Sequence, residues 1–211
     1  MQISFQGNVP KKIPKIYKTK QSKSNTVAIL GSSKSTPDVL SYMDICSNSV
    51  KSMILNGKNI VHGCCTAGIM GAALAAGKKY SKQDKEGNPV QNLAIIMNPR
   101  WGDEDLDSCF AIGETKSEME RIKTFTEVAD TILIFPGGAG TLQEVTSLIF
   151  KNYYGSDDEK RKIVLVGKDF FKGLKEQYDK LYESGLIRCK PEELFTIADN
   201  EEEINNCLDL K

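Results

Sequence analysis

Two periods of apolar spacing alternate along this chain. Short apolar runs bounded by glycine, proline or small polar residues recur at Thr26–Leu30, Asn59–His62, Leu93–Met97, Ile132–Phe135, Ile163–Val166 and Phe195–Ala198. Runs this short and this uniformly apolar read as strands buried on both faces. Between them the spacing stretches to three and four residues. Leu142, Val145, Leu148 and Ile149 form one such stripe; Phe171, Leu174, Tyr178 and Leu181 form another. That period places an apolar face on a helix. The pattern predicts helices over residues 37–56, over an alanine-rich stretch ending near Ala76, over 114–129, from the turn at Thr141 to Phe150, over 170–184 and over 201–208. Strands alternating with helices give an α/β fold with a mostly parallel sheet and right-handed crossovers.

Composition narrows the picture without redirecting it. The chain has 211 residues, enough for one α/β domain with a sizeable core. Residues 1–24 are set apart as a basic extension, carrying Lys11, Lys12, Lys15, Lys18, Lys20 and Lys23 around Pro10 and Pro14. Such a stretch is expected to lie on the surface or to be partly disordered. Residues 25–211 read as a single domain, since no linker or repeat interrupts them. The formal net charge is zero, which points away from nucleic-acid and acidic-membrane partners. No transmembrane run and no signal-peptide core is visible. The six cysteines lack zinc-type spacing and read as reduced, mostly buried thiols of a cytoplasmic protein. His62 is the only histidine, so a His-rich metal site or a Ser/His/Asp triad would hang on that one residue.

Three glycine-containing turns follow apolar runs. The most informative is Pro136-Gly137-Gly138-Ala139-Gly140-Thr141-Leu142-Gln143-Glu144. A glycine turn between a buried strand and a helix start brings backbone close to an anion, and the first-turn N–H groups and the helix dipole favour its charge. The stretch therefore reads as a phosphate cradle with a Thr141 hydroxyl. Glu144 would repel a phosphate and suits a hydroxyl-bearing part of the ligand, such as a ribose; capping or dipole stabilisation is the plainer alternative. Gly31-Ser32-Ser33 follows the first strand, at a place where nucleotide-binding corners occur. Gly63-Cys64-Cys65-Thr66-Ala67-Gly68-Ile69-Met70-Gly71 follows the second and is an imperfect dinucleotide fingerprint. The loop with Arg100 and Trp101 is expected over the ligand crevice. Asp103, Glu104, Asp105 and Asp107 lack calcium-loop spacing and read as a solvated acidic loop. Arg121 sits on the helix entering the central motif, either supplying positive charge to the pocket or pairing with Glu118 or Glu127 on the surface.

The motif from Pro136 to Glu144 resembles the PGGxGTxxE signature of the LOG family, the cytokinin riboside 5′-monophosphate phosphoribohydrolases often mislabelled lysine decarboxylases. A GSS turn similar to Gly31–Ser33 belongs to the same pattern, as does an arginine fifteen residues before the motif's proline, here Arg121. The second turn is similar to the family's GGGxxGLMG. Gly68 and Gly71 match it, while Cys64 and Cys65 stand where glycines are usual. If those positions need positive φ, cysteines there are strained. The lysine usual after the arginine is Ile122 here, with Lys123 one place on.

The resemblance covers roughly residues 25–210 and implies a Rossmann-like three-layer sandwich. It implies hydrolysis of the N-glycosidic bond of a nucleoside 5′-monophosphate, AMP or an N6-modified AMP, to free base and ribose 5-phosphate. Arg121 and Glu144 would be catalytic. Gly31, Ser32, Ser33, Gly68, Gly71, Gly137, Gly138, Ala139, Gly140 and Thr141 would bind substrate. The reaction as read takes no metal and no cofactor, and family members assemble as homodimers or larger homo-oligomers. The altered Gly63–Cys65 corner keeps a second reading open: a non-catalytic carrier or sensor of a phosphorylated nucleotide-like cofactor. A dehydrogenase lacks its glycine fingerprint, and a decarboxylase lacks an evident pyridoxal-binding lysine.

Overall fold

The computed structural model describes residues 12–13, 15–85, 87–98 and 104–210. Seven strands form one sheet: β1 (Thr26–Leu30), β2 (Asn59–His62), β3 (Asn92–Met97), β4 (Ala111–Thr115), β5 (Thr131–Ile134), β6 (Lys162–Val166) and β7 (Thr196–Ala198). Their order is β4-β3-β2-β1-β5-β6-β7, and every pairing is parallel. The order reverses between β1 and β5, where Leu30 lies opposite Ile134. Chains leaving these two strands in opposite lateral directions open a crevice beyond their carboxyl ends.

The helices are α1 (Lys20–Ser24), α2 (Pro37–Leu55), α3 (Gly68–Tyr80), α4 (Glu118–Val128), α5 (Ala139–Tyr154), α6 (Lys168–Glu183) and α7 (Glu201–Cys207). Alternation within the strands sends side chains to two cores. Val27 and Ile29 of β1 join Leu133 and Phe135 against α2, α3 and α7. Ala28 and Leu30 join Ile132 and Ile134 against α4, α5 and α6. The result is a three-layer sandwich. Among the described residues no helix is long and apolar enough to cross a membrane.

Several elements differ from the sequence reading, and α3 runs to Tyr80, past the expected end near Ala76. The stretch expected to begin a helix at Glu114 instead completes β4, and α4 starts at Glu118 with the Ser117 side chain accepting the Glu120 N–H at 3.2 Å. The motif helix runs to Tyr154, past the expected charged loop beginning at Lys151. Residues 15–24 form a 3-10 turn and α1. The Tyr17 hydroxyl donates to the Val90 carbonyl at 3.2 Å, its ring meets Phe110 edge-on, and Ile13 is buried against Gly113. The second half of the basic stretch thus packs on the β3–β4 side of the sheet. The loop carrying Arg100 and Trp101, and Asp103 with it, lies outside the described residues.

Candidate functional site

A cavity of about 470 Å³ opens at the β1/β5 switch point. Three turns build it, and hydrogen bonds through Ser32 fasten them together. The Ser32 N–H donates to the Pro136 carbonyl at 3.0 Å, and its own carbonyl accepts from the Met70 N–H at 3.3 Å. Its hydroxyl donates to the Lys34 carbonyl and accepts the Lys34 N–H, both at 2.9 Å. Gly68 closes the same joint. It has φ +62°, and a Cβ there would stand 2.7 Å from the Lys34 nitrogen, against backbone that has nowhere to go.

Two helices begin at this cavity, and their first turns differ. Neither α3 nor α5 has a side-chain N-cap. In α3 two of the three first-turn donors are already used: Gly68 N–H donates to the Ser35 hydroxyl at 3.1 Å, and Met70 N–H to Ser32. In α5 the Leu142 N–H makes the first intrahelical bond, to Gly138 at 3.0 Å. The N–H groups of Ala139, Gly140 and Thr141 have no acceptor among the described residues. All three residues and Gly138 line the cavity. A Cβ added at Gly138 or Gly140 would meet nothing within 4 Å. The fold leaves open space there, above three free donors at the positive end of a helix dipole.

Arg121 and Glu144 face each other across this space. α4 brings Arg121 in one turn after its capped start, and α5 carries Glu144 in its second turn. Arg121 Nη1 lies 3.8 Å from Glu144 Oε1, with the two side chains 12% and 15% exposed. That separation is an ion pair too long for a hydrogen bond. Arg121 Nε is buried without a hydrogen-bond partner. Its guanidinium stacks 5.6 Å from the Phe125 ring centroid, and Gly63 makes the room for it, since a Cβ there would overlap Arg121 Nη2. Glu127, a partner considered from sequence, pairs with Lys18 at 3.1 Å instead. Burial raises the Glu144 pKa above the ordinary carboxylate value, and the Arg121 charge opposes that rise. A desolvated arginine with donors to spare beside a partly desolvated carboxylate is costly to hold in an empty pocket and suits one that receives a polar ligand.

The remaining sequence candidates fall into place around this pair. Gly31, Ser32 and Ser33 line the cavity. Gly68, Gly71 and Gly137 do not; they sit behind the lining, Gly71 against the Thr66 carbonyl and Gly137 against the Thr141 side chain. Their glycines serve the turns. Ile122 is buried in the core, and Lys123 lies outside the cavity. Lys34 lines it instead, a cation that the GSS turn carries one residue beyond the recognised motif. Glu104 also lines it, bridged antiparallel to Cys65. Glu104 is therefore part of the site's wall; Asp105 meanwhile accepts the Ser108 hydroxyl. Lys34 carried no pattern that would have singled it out, and Glu104 was expected in a solvated loop.

Of the two cysteines in glycine positions, Cys64 has φ +64°, and Cys65 has no positive φ. The strain, of order 1–3 kcal/mol for such a residue, is held by contacts. Cys64 N–H donates to His62 Nδ1 at 3.0 Å, and Asp105 N–H donates to the Cys64 carbonyl at 3.3 Å. His62 is fully buried, with Nε2 at 2.8 Å from Asn92 Oδ1. Because Nδ1 accepts, the ring is the neutral Nε2–H tautomer, and burial pulls its pKa down to about 4. The single histidine is a brace for the turn.

A parallel sheet with helices on both faces and a ligand cavity at the switch point defines a Rossmann-like α/β protein. The family model described as possible lysine decarboxylase matches residues 60–208, and the chain belongs to that family, the LOG family. Solved structures agree on the fold. The molybdenum cofactor carrier protein of Chlamydomonas reinhardtii superposes with a TM-score of 0.58 at 14% identity, over 87% of this chain and 95% of that one. The molybdenum cofactor binding protein of Rippkaea orientalis gives 0.58 at 15% identity, over 87% and 94%. The structural-genomics target TM1055 gives 0.57 at 13% identity, over 88% and 98%. No curated protein matches the sequence.

Proposed function

We propose that the protein hydrolyses the N-glycosidic bond of a nucleoside 5′-monophosphate, AMP or an N6-modified AMP, to free base and ribose 5-phosphate. The observation that carries this reading is the buried Arg121–Glu144 pair beside the open N-terminus of α5. The amides of Ala139, Gly140 and Thr141 would hold the 5′-phosphate, with Lys34 adding charge. Glu144, one helical turn deeper, then faces the ribose. Cleavage builds positive charge on the ribose ring; the Glu144 carboxylate stabilises that charge and orients the attacking water, one of whose protons ends on the departing base. Arg121 offsets the charge of Glu144 and donates toward the base or a ribose hydroxyl. Decarboxylation through a Schiff base fits less well. The one lysine among the described residues lining the cavity is Lys34, on an exposed turn, whereas such lysines are activated by desolvation.

A second reading is a carrier or sensor of a phosphorylated nucleotide-like cofactor. It is favoured by two structural neighbours, one a carrier and one a binder of the molybdenum cofactor, and by the altered Cys64 corner. Incubation of the pure protein with AMP and with N6-prenylated AMP, followed by chromatography, separates the two. Release of base with ribose 5-phosphate is the expected result; tight binding without release identifies a carrier. We also propose a homodimer through α5, whose outer face leaves Leu142, Phe150 and Tyr154 exposed beside Met119 of α4.

A further inference from the structure

Beneath the cavity's Cys64 corner lie two thiols that the proposed chemistry does not use. Cys64 Sγ and Cys109 Sγ are 3.2 Å apart, both side chains are fully buried, and neither is in a disulfide. Both sulfurs lie near one acceptor, the Asp105 carbonyl, at 3.2 Å from Cys64 and 4.0 Å from Cys109. The two cysteines belong to separate segments. Cys64 is in the turn after β2; Cys109 ends the 3-10 turn Leu106–Ser108 before β4. Between those segments run the Asp105–Cys64 backbone bond and the Cys65–Glu104 bridge. Cys65 and Glu104 both face the cavity, and Gly63, directly before Cys64, packs on the Arg121 guanidinium. A bond between the two sulfurs would therefore fasten one wall of the cavity to the turn that seats its arginine.

We propose that Cys64 and Cys109 are a reversible modification site: a dithiol that a peroxide converts to a disulfide, fixing residues 104–109 against the ligand corner. One thiolate attacks the peroxide O–O bond, giving a sulfenic acid and, with the proton it released, one water. The second thiol attacks that sulfur and expels a second water. Two thiols lose two electrons and two protons, and hydrogen peroxide becomes two waters. The sulfurs must close from 3.2 Å to about 2.05 Å, a shift of roughly 1 Å shared between two side chains. Burial requires the corner to open for the oxidant to enter, so the pair reacts more slowly than the half-buried Cys65, Cys189 and Cys207 and is protected from casual oxidation.

The test treats the full-length protein with graded hydrogen peroxide, blocks the remaining thiols and maps peptides without reduction. A linked pair containing Cys64 and Cys109, two hydrogens lighter than the free peptides and released by dithiothreitol, is expected. Amide hydrogen exchange across residues 104–110 should slow at least fivefold in the oxidised protein and recover on reduction. Cys109→Ser, and Cys109→Ala should the first fold poorly, should lose both responses, while Cys189→Ser keeps them. Free or overoxidised Cys64 and Cys109 after the half-buried cysteines have reacted would overturn the proposal, as would a link that leaves exchange unchanged. The consequence for the site rests on the nucleotide reading and is read separately, as AMP affinity before and after oxidation. A reduced protein that binds no AMP counts against that reading, while the peptide map decides the dithiol.

Discussion

Glycines of the turns around the cavity do different work, and substitution separates them. Gly68 is fixed by the chain itself, with positive φ and a Cβ position that collides with the Ser32–Lys34 backbone. Gly138 has an ordinary φ of −87°, and its Cβ would enter empty space at the mouth of α5. Gly68→Ala is expected to cost about 1–3 kcal/mol of stability. Gly138→Ala should leave stability within about 0.5 kcal/mol while weakening AMP binding at least about tenfold, as a Cβ would stand where the proposed 5′-phosphate would sit. Urea denaturation and calorimetry measure the two; equal losses of stability would remove the distinction. His62 makes a second residue-level prediction. The unfolded chain takes up the histidine proton near 6.5 and the folded chain only near 4. Its contribution to stability is therefore complete above pH 6.5 and is lost as pH falls toward 4, by up to about 1.4 kcal/mol per pH unit. Urea midpoints of the wild type should fall faster over that window than those of His62→Gln, and parallel pH profiles would contradict this account of the ring.

At the scale of elements, the two helix N-termini at the cavity look alike in sequence, since each follows a glycine-bearing turn. The structure tells them apart by where the donors go: two of the three at α3 to Ser32 and Ser35, all three at α5 to open space. Strands buried on both faces were legible because short apolar runs make up their centres, and β1 and β2 begin and end where the pattern places them. β4 was not legible. It is an edge strand with one neighbour, four of its five positions are polar or small, and Glu114 is exposed, so its pattern passes for the start of the following helix. The motif announced Glu144, and the spacing announced Arg121. Lys34 was invisible and Glu104 passed for part of a solvated loop, because both reach the cavity through turns whose geometry no periodicity encodes. The outer face of α5 carries a prediction of its own. Phe150 and Tyr154, 64% and 70% exposed with ring centroids 4.7 Å apart, are too large and too close together to be ordinary surface residues. Phe150→Glu with Tyr154→Glu should halve the molar mass in light scattering while the fold persists by circular dichroism. A wild-type monomer would contradict the dimer.

The whole molecule joins these scales in one arrangement. The order of the sheet opens a crevice between β1 and β5; the turn after β5 starts α5 there with three free amides; α4, descending from β4, delivers Arg121 to the carboxylate that α5 carries. Each part comes from a different segment of the chain, which is why the site exists only in the folded protein, and why the sequence shows its motif more plainly than its geometry. The central claim is that this carboxylate acts on the sugar and not only on the fold. The direct measurement is Glu144→Gln, with turnover of AMP and binding of AMP determined separately. The account predicts turnover reduced at least about 100-fold, with AMP still bound within a few fold because the α5 amides remain. Turnover equal to that of the wild type would contradict it and remove Glu144 from the chemistry.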